Sequence, residues 1–424
     1  SDLSPCSLIL NRSGELFSRY SNGNFVENQT LSLGIGVLVL PYIAKILSHC
    51  FSFSFSLYFL HYLVCSRGQV IDQKIRTAYD WIQKNIKNIS YLDNQKEYDD
   101  NEDVDDVMKH KYGTRTDINI VFYDMLREMN VPAKMVYVLD RDDGLLVVDA
   151  KYWQFDGTVV AVEPGMPGQY KYYSPGDLYL PFGYLPLSYE GTQALLTASQ
   201  NQQFVTMPFS SVDMNKEQSS FSLAFSDEFK LTGKLVQQFR GQKARWYRLL
   251  TNDLTAVDRE EKLRTRLKEA LPDAEIDSIN TAGLEDHSQP LTVSCNLKLA
   301  NTQQQIANRV IVQPLGFFAS VDNIFNKEQR LHPILFDYPQ EVSESMSISV
   351  PDGYSIESVP KDTSFANQAG TFALKFTLFG NTLSIQRLFR VNIAFWFPTN
   401  YEVVRRLFQT RYGLDALSVV LIKK

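Results

Sequence analysis

From Phe221 to the C-terminus, apolar residues return at every second position in run after run: FSLAF at 221–225, LTVSCNLKL at 291–299, TFALKFTL at 371–378 and LSIQRLFRV at 383–391. A period of two sends alternate side chains to opposite faces of a strand. Serial runs of this kind, each with one apolar face, bury those faces by packing sheets together, so residues 201–424 read as a mainly-β, sandwich-like domain. Further strands are expected at 230–239, 244–250, 310–313, 346–350 and 417–422. Gly380-Asn381 is placed to turn a hairpin. Two helices interrupt the series, at 256–271, stopped by Pro272, and at 401–410.

Residues 67–200 have a different texture. Val70, Ile71, Ile75, Ala78, Tyr79, Ile82 and Ile86 fall on one face at helical spacing. The acidic stretch that follows (Asp99, Asp100, Glu102, Asp103, Asp105, Asp106) has neither EF-hand spacing nor a glycine turn. It reads as a solvated loop entering a short helix whose positive end the acids face, and no metal site is expected. A helix is expected over 117–130, then a break at Val131-Pro132 and a buried strand at 133–139. Asp140 to Gly144 carries an Asp-Gly turn signal, with strands at 145–148, 159–162 and 170–173 beyond it. Helices mixed with strands here and serial strands later make the whole chain α+β. A length of 424 residues accommodates this division, with the boundary at the polar residues 197–203.

Residues 1–66 form a third segment. Leu31 to Val64 carries one formal charge, Lys45, and 31–47 is at the lower limit for spanning a bilayer. The stretch is a candidate membrane segment, or else part of a buried core. Composition excludes several functions. With 42 basic and 48 acidic residues and no basic stripe, nucleic acid is not an expected partner. Cys6, Cys50, Cys65 and Cys295 show no CxxC spacing, so no zinc site or disulfide framework is expected, and no cofactor motif is present.

The segment KYGTRTDINIVFYDMLREMNVPAKMVYV (111–138) sets a Gly-x-[Cys]-x-Asp pattern at a helix start, followed by an amphipathic helix, a Val-Pro break and a strand. This resembles the transglutaminase-like superfamily of cysteine enzymes. The upstream AYDWIQKNI, the Ser174-Pro175-Gly176 loop and PFGYLPLSYEGTQAL (181–195) resemble a bacterial branch whose core lies between β-rich domains of unknown function. RLHPILFDYP (330–339), SVPDGY (349–354), YEVVRRLF (401–408) and VVLIKK (419–424) resemble the downstream β-rich domain of that branch. The resemblance implies a papain/transglutaminase-like core and a location in the bacterial cell envelope, periplasmic or secreted.

Active members use a Cys-His-Asp triad. The cysteine sits at a helix N-terminus, where backbone dipoles favour the thiolate, a histidine takes its proton, and an aspartate orients the imidazole. Carried onto this sequence, the cysteine position is Arg115, the histidine position Gly157 or Thr158, and the aspartate position Ser174. A permanent positive charge at a helix N-terminus costs about 0.3–1 kcal/mol, the reverse of what a thiolate site needs. The expectation is a non-catalytic module that binds or scaffolds a protein or peptide, with Thr116, Asp117, Trp153, Phe155, Tyr173 and Tyr184 as groove candidates. Two rival readings are a cysteine-type transglutaminase or peptidase with a relocated site using Cys295 or Cys65, and a structural protein anchored through 31–64.

Overall fold

The computed structural model describes residues 7–10, 16–19, 71–92, 97–143, 154–165, 168–197, 203–226, 229–299, 303–316 and 324–424. The chain divides into two compact units, Ser1–Cys65 and Ser66–Lys424. In the first, β1 (Ser7–Leu10) pairs antiparallel with β2 (Leu16–Arg19). The apolar stretch 31–64, the expected strand 145–148 and Trp153 lie outside the described residues. Among the described residues, no helix is long and apolar enough to cross a membrane.

The second unit opens with helix α1 (Ile71–Asn85), which buries Ile75, Ala78, Tyr79 and Ile82, the face expected from their spacing. A short parallel pair, β3 (Lys87–Asn88) with β4 (Tyr112–Gly113), brackets α2 (Val104–His110). Asp103 caps α2 by accepting from the Asp106 amide at 3.0 Å, and Asp105 and Asp106 fill its first turn, so the acidic stretch serves a positive helix end. Helix α3 (Arg115–Glu128) buries Ile118, Val121, Phe122, Met125 and Leu126. It packs on α1 and on two strands of a five-stranded antiparallel sheet. That sheet has the order β7 (Lys171–Tyr173), β6 (Gly157–Val162), β5 (Ala133–Val138), β8 (Gln193–Leu196), β9 (Gln203–Thr206). Every residue of β6 is buried. Its last strand, β9, lies beyond residue 200.

The remaining strands are β10 (Lys216–Phe225), β11 (Leu231–Phe239), β12 (Ala274–Ala282), β13 (Leu291–Leu299), β14 (Gln303–Ile306), β15 (Arg309–Val312), β16 (Ile334–Leu335), β17 (Gln340–Ser349), β18 (Tyr354–Ser358), β19 (Thr363–Ala366), β20 (Gly370–Phe379), β21 (Thr382–Val391), β22 (Phe395–Trp396) and β23 (Val419–Lys423). Eight of them form one sheet in the order β12-β13-β11-β10-β17-β21-β20-β19, and four form a second, β14-β15-β23-β18. Both sheets feed one core: Phe221, Leu223, Ile348 and Leu383 from the first, and Val312, Val419 and Leu421 from the second. This is the sandwich-like arrangement that the alternating runs imply, within an α+β chain. Helices α4 (Gln242–Leu250), α5 (Ala256–Ala270) and α6 (Tyr401–Asp415) complete the region.

One expected strand is corrected. Residues 244–250 are helical, because the buried residues of α4 (Gln242, Ala244, Tyr247, Arg248) recur at helical rather than alternating intervals. Strand β17 also begins earlier than the apolar pattern indicates. Its Glu344 faces the core, paired at 2.9 Å with Arg387, which in turn forks onto Asp415 of α6 at 2.6 and 2.7 Å. Desolvation raises the Glu344 carboxyl above its ordinary value, and Arg387 opposes that rise.

Leu126 is fully buried on α3. Leu126→Ala is expected to lower stability by ~2–5 kcal/mol, measured by urea unfolding of the full chain. A near-neutral effect would mean that α3 does not pack as described.

Candidate functional site: the start of helix α3

The chain enters α3 through β4 and a reciprocal cap. The Asp117 amide donates to Thr114 Oγ1 at 3.2 Å, and the Thr114 amide donates to Asp117 Oδ2 at 2.8 Å. Two orphan amides of the helix start are thereby satisfied. Asp117, a groove candidate from its position, spends its carboxylate on this cap. Thr116 follows Arg115 in the same turn and is half-buried.

Arg115 is the first residue of α3. Its amide donates to Ser90 Oγ at 2.8 Å, and its guanidinium donates to the Asp156 carbonyl at 3.2 Å. The same guanidinium lies 3.6 Å from Asp177 Oδ1 and 5.4 Å from the centre of the Tyr189 ring. Asp177 is completely buried. Its Oδ1 accepts from Tyr91 at 3.0 Å and faces Arg245 of α4 at 3.5 Å, while its Oδ2 accepts from Ser174 Oγ at 2.6 Å. A buried carboxylate is tolerated when its lone pairs and its charge are both answered, as they are here.

Asn119, one turn along α3 from Arg115 and completely buried, ties the positions together. Its Nδ2 donates to the Thr158 carbonyl at 2.6 Å and to Ser174 Oγ at 2.9 Å, and its Oδ1 accepts from the Gly176 amide at 2.9 Å. Gly176 has to be glycine, since a Cβ there would stand 2.1 Å from the Arg115 carbonyl oxygen. The structure thus brings Arg115, Thr158 and Ser174 into one network, the three elements on which the resemblance places a triad. Asn119 was not singled out from the sequence. The available signal was a lone amide between the apolar residues Ile118 and Ile120, one turn after Arg115.

The fourth position, Gly157, meets a different neighbour. A Cβ on Gly157 would lie 1.9 Å from the Tyr189 hydroxyl oxygen and 2.5 Å from its Cζ. The Tyr189 ring therefore stands where a side chain from 157 would go. Tyr189 is completely buried, its hydroxyl has no hydrogen-bond partner among the described residues, and burial holds that hydroxyl well above its ordinary pKa. Thr158 Oγ1 is likewise buried without a partner among them. Next to Tyr189, the buried Glu190 accepts from Ser210 Oγ at 3.1 Å and from Gln242 of α4 at 2.8 Å.

The aromatic groove candidates divide. Tyr173 is core: its ring centre lies 6.2 Å from Phe122 and 5.0 Å from Phe182, and burial pushes its hydroxyl up to about 12. Phe155 is half-buried, 6.5 Å from the Tyr137 ring. Tyr184 donates to the Met214 carbonyl at 2.5 Å and lines a cleft of about 900 Å³ that also touches α1 and α4. Among the described residues there is no cluster of three or more His, Cys, Asp or Glu able to hold a metal ion.

If Tyr189 fills the space facing residue 157, Gly157→Ala overpacks it. A loss of ~1–3 kcal/mol is expected, and part of it should return in the Gly157→Ala, Tyr189→Ala double variant relative to the sum of the singles. Strict additivity in urea unfolding would place the ring elsewhere.

Two family models match parts of the chain. The transglutaminase-like superfamily matches residues 65–161, and a domain of unknown function with a solved structure (DUF3858) matches residues 308–421. No curated protein matches the chain. A crystal structure from Parabacteroides distasonis described as a "putative protease" is similar at 14% identity, covering 99% of this chain and 68% of its own, with a TM-score of 0.45. Residues 65–161 are therefore a domain of the transglutaminase-like superfamily, carried on the same polypeptide as a DUF3858 domain.

Proposed function

We propose that the chain is a non-catalytic transglutaminase-like protein of the bacterial cell envelope, periplasmic or secreted, that binds or scaffolds a protein or peptide, with residues 31–64 as its candidate membrane anchor. The observation that carries this reading is that neither position assigned to the general base supplies one: Gly157 has no side chain and a Tyr189 ring in its space, and Thr158 offers only a buried hydroxyl. The nucleophile position holds a cation whose partner is the buried Asp177. The position of the orienting acid is Ser174, engaged with Asn119 and Asp177. Fold and chemistry are separable, so a core of this class can keep a recognition role without turnover.

A relocated cysteine site has weaker support. Cys295 lies within β13 and is 2% exposed, in the core shared by the two sheets. Burial pushes its thiol up to about 11, with Asp277 adding to that rise. A thiol held protonated and out of solvent is a poor nucleophile.

The wild type is expected to show no transamidation of a glutamine-containing peptide with a generic amine, and no peptide hydrolysis. Arg115→Cys is expected to show none above a cysteine-free control, because neither Gly157 nor Thr158 can accept the thiol proton. Wild-type turnover abolished by Cys295→Ala would refute the non-catalytic reading.

A further inference from the structure

The cleft of about 900 Å³ runs between α1, the loop 175–184, α4 and the connection from β12 to β13. A polar side pocket of about 160 Å³ shares Tyr179, Arg248 and Asn252 with it. Arg248 is 2% exposed, and a buried cation ordinarily has an anionic partner. Here its Nε and Nη2 donate at 2.7–3.1 Å to the carbonyls of Gly283, Asp286 and Gln289, all neutral acceptors. Among the described residues its Nη1 has no hydrogen bond and its guanidinium no close ion pair, the Asp286 carboxylate acting on it only at longer range. A second guanidinium, Arg259, lines the same pocket. Among the described residues its Nε is buried with no partner, and its Nη2 makes one long bond to the Leu254 carbonyl at 3.4 Å.

Backbone conformation points to the same place. Tyr179 and Asp253, both lining the pocket, have φ of +58° and +55°. For a bulky aromatic residue that region is strained, and such strain concentrates at functional sites. The strained Tyr179 donates its hydroxyl to Asn252 Oδ1 at 2.8 Å, within the pocket wall.

We propose that this side pocket receives the carboxylate of an acidic peptide whose chain lies in the adjoining cleft. The proposal rests on the peptide-binding reading above and deepens it. Guanidinium donors without partners call for an anion, and charge-assisted hydrogen bonds to a carboxylate are among the strongest they can make. Two exposed acids, Asp253 and Glu285, also line the pocket and disfavour a dianion such as phosphate more than a single carboxylate. Tyr91, Phe182, Tyr184 and Pro181 supply flat apolar surface along the larger cleft, which suits a peptide backbone.

The test is calorimetric titration of the full chain with a blocked alanine pentapeptide carrying one central glutamate, its glutamine counterpart, and inorganic phosphate. The glutamate peptide is expected to bind about tenfold or more tightly than the glutamine peptide. That preference should vanish in Arg259→Gln, with an unchanged melting temperature as the folding control. Glu285→Gln, which removes a like charge at the rim, should strengthen binding of the glutamate peptide. Equal affinity for the two peptides, a preference that survives Arg259→Gln, or phosphate binding tighter than the glutamate peptide overturns the assignment. Failure of the two readings is distinguishable. A peptide that binds through Arg259 and is then cleaved or transamidated sinks the non-catalytic reading and leaves the pocket. An inert protein that binds none of the probes sinks the pocket and leaves that reading.

Discussion

Asp177 is the residue on which the arrangement turns. A carboxylate buried this completely would be prohibitive alone, and each group that answers it comes from a different element: Arg115 from the start of α3, Tyr91 from the segment after β3, Ser174 from the end of β7, and Arg245 from α4. Desolvation makes the attraction strong and makes any unanswered member costly. One charge therefore fixes where α3 begins, where the 174–177 turn sits, and how α4 docks on the transglutaminase-like core. Gln242, also on α4, repeats the theme by donating to Glu190 at 2.8 Å and to the Leu185 carbonyl at 2.7 Å.

The same geometry accounts for the proposed loss of chemistry. A catalytic helix start keeps its amides and dipole available to a thiolate and leaves room for an imidazole. Here the amide of Arg115 is spent on Ser90, its guanidinium on Asp177 and the Asp156 carbonyl, and the space beside Gly157 on the Tyr189 ring. These are packing interactions, and they stabilise a closed centre. In the proposed reading, recognition falls to the cleft beside it, where Arg259 Nε is buried without a hydrogen-bond partner among the described residues.

Much of this was legible in the sequence. The helical spacing of Ile75, Ala78, Tyr79 and Ile82 and the alternation of Leu291–Leu299 gave elements of the right type, because apolar burial on one face sets the period. What escaped was wherever polar residues took core positions or strands took edge positions. Strand β12 lies at the edge of its sheet with most of its residues exposed, and so shows no long apolar run. The first half of β17 hides a buried Glu344 whose partner, Arg387, is distant in sequence. Helix α4 reads poorly as a helix because its inward face includes Gln242 and Arg248, whose partners are carbonyls and carboxylates elsewhere. At the site, the chain order marked Arg115, Gly157, Thr158 and Ser174. The roles of Asn119, Asp177 and Tyr189, which join or fill those positions, depend on contacts distant in sequence. Of the groove candidates Thr116, Asp117, Tyr173 and Tyr184, Tyr184 lines the cleft, while Asp117 serves the cap of α3 and Tyr173 the core.

The central claim is that Arg115 is a structural partner of Asp177 rather than a displaced nucleophile. A double-mutant cycle with Arg115→Gln and Asp177→Asn, read by urea unfolding of the full chain, tests it most directly. The account predicts that the two residues stabilise each other by about 1 kcal/mol or more, with each single variant less stable than the wild type. A coupling energy of zero, with Arg115→Gln as stable as the wild type, would contradict it.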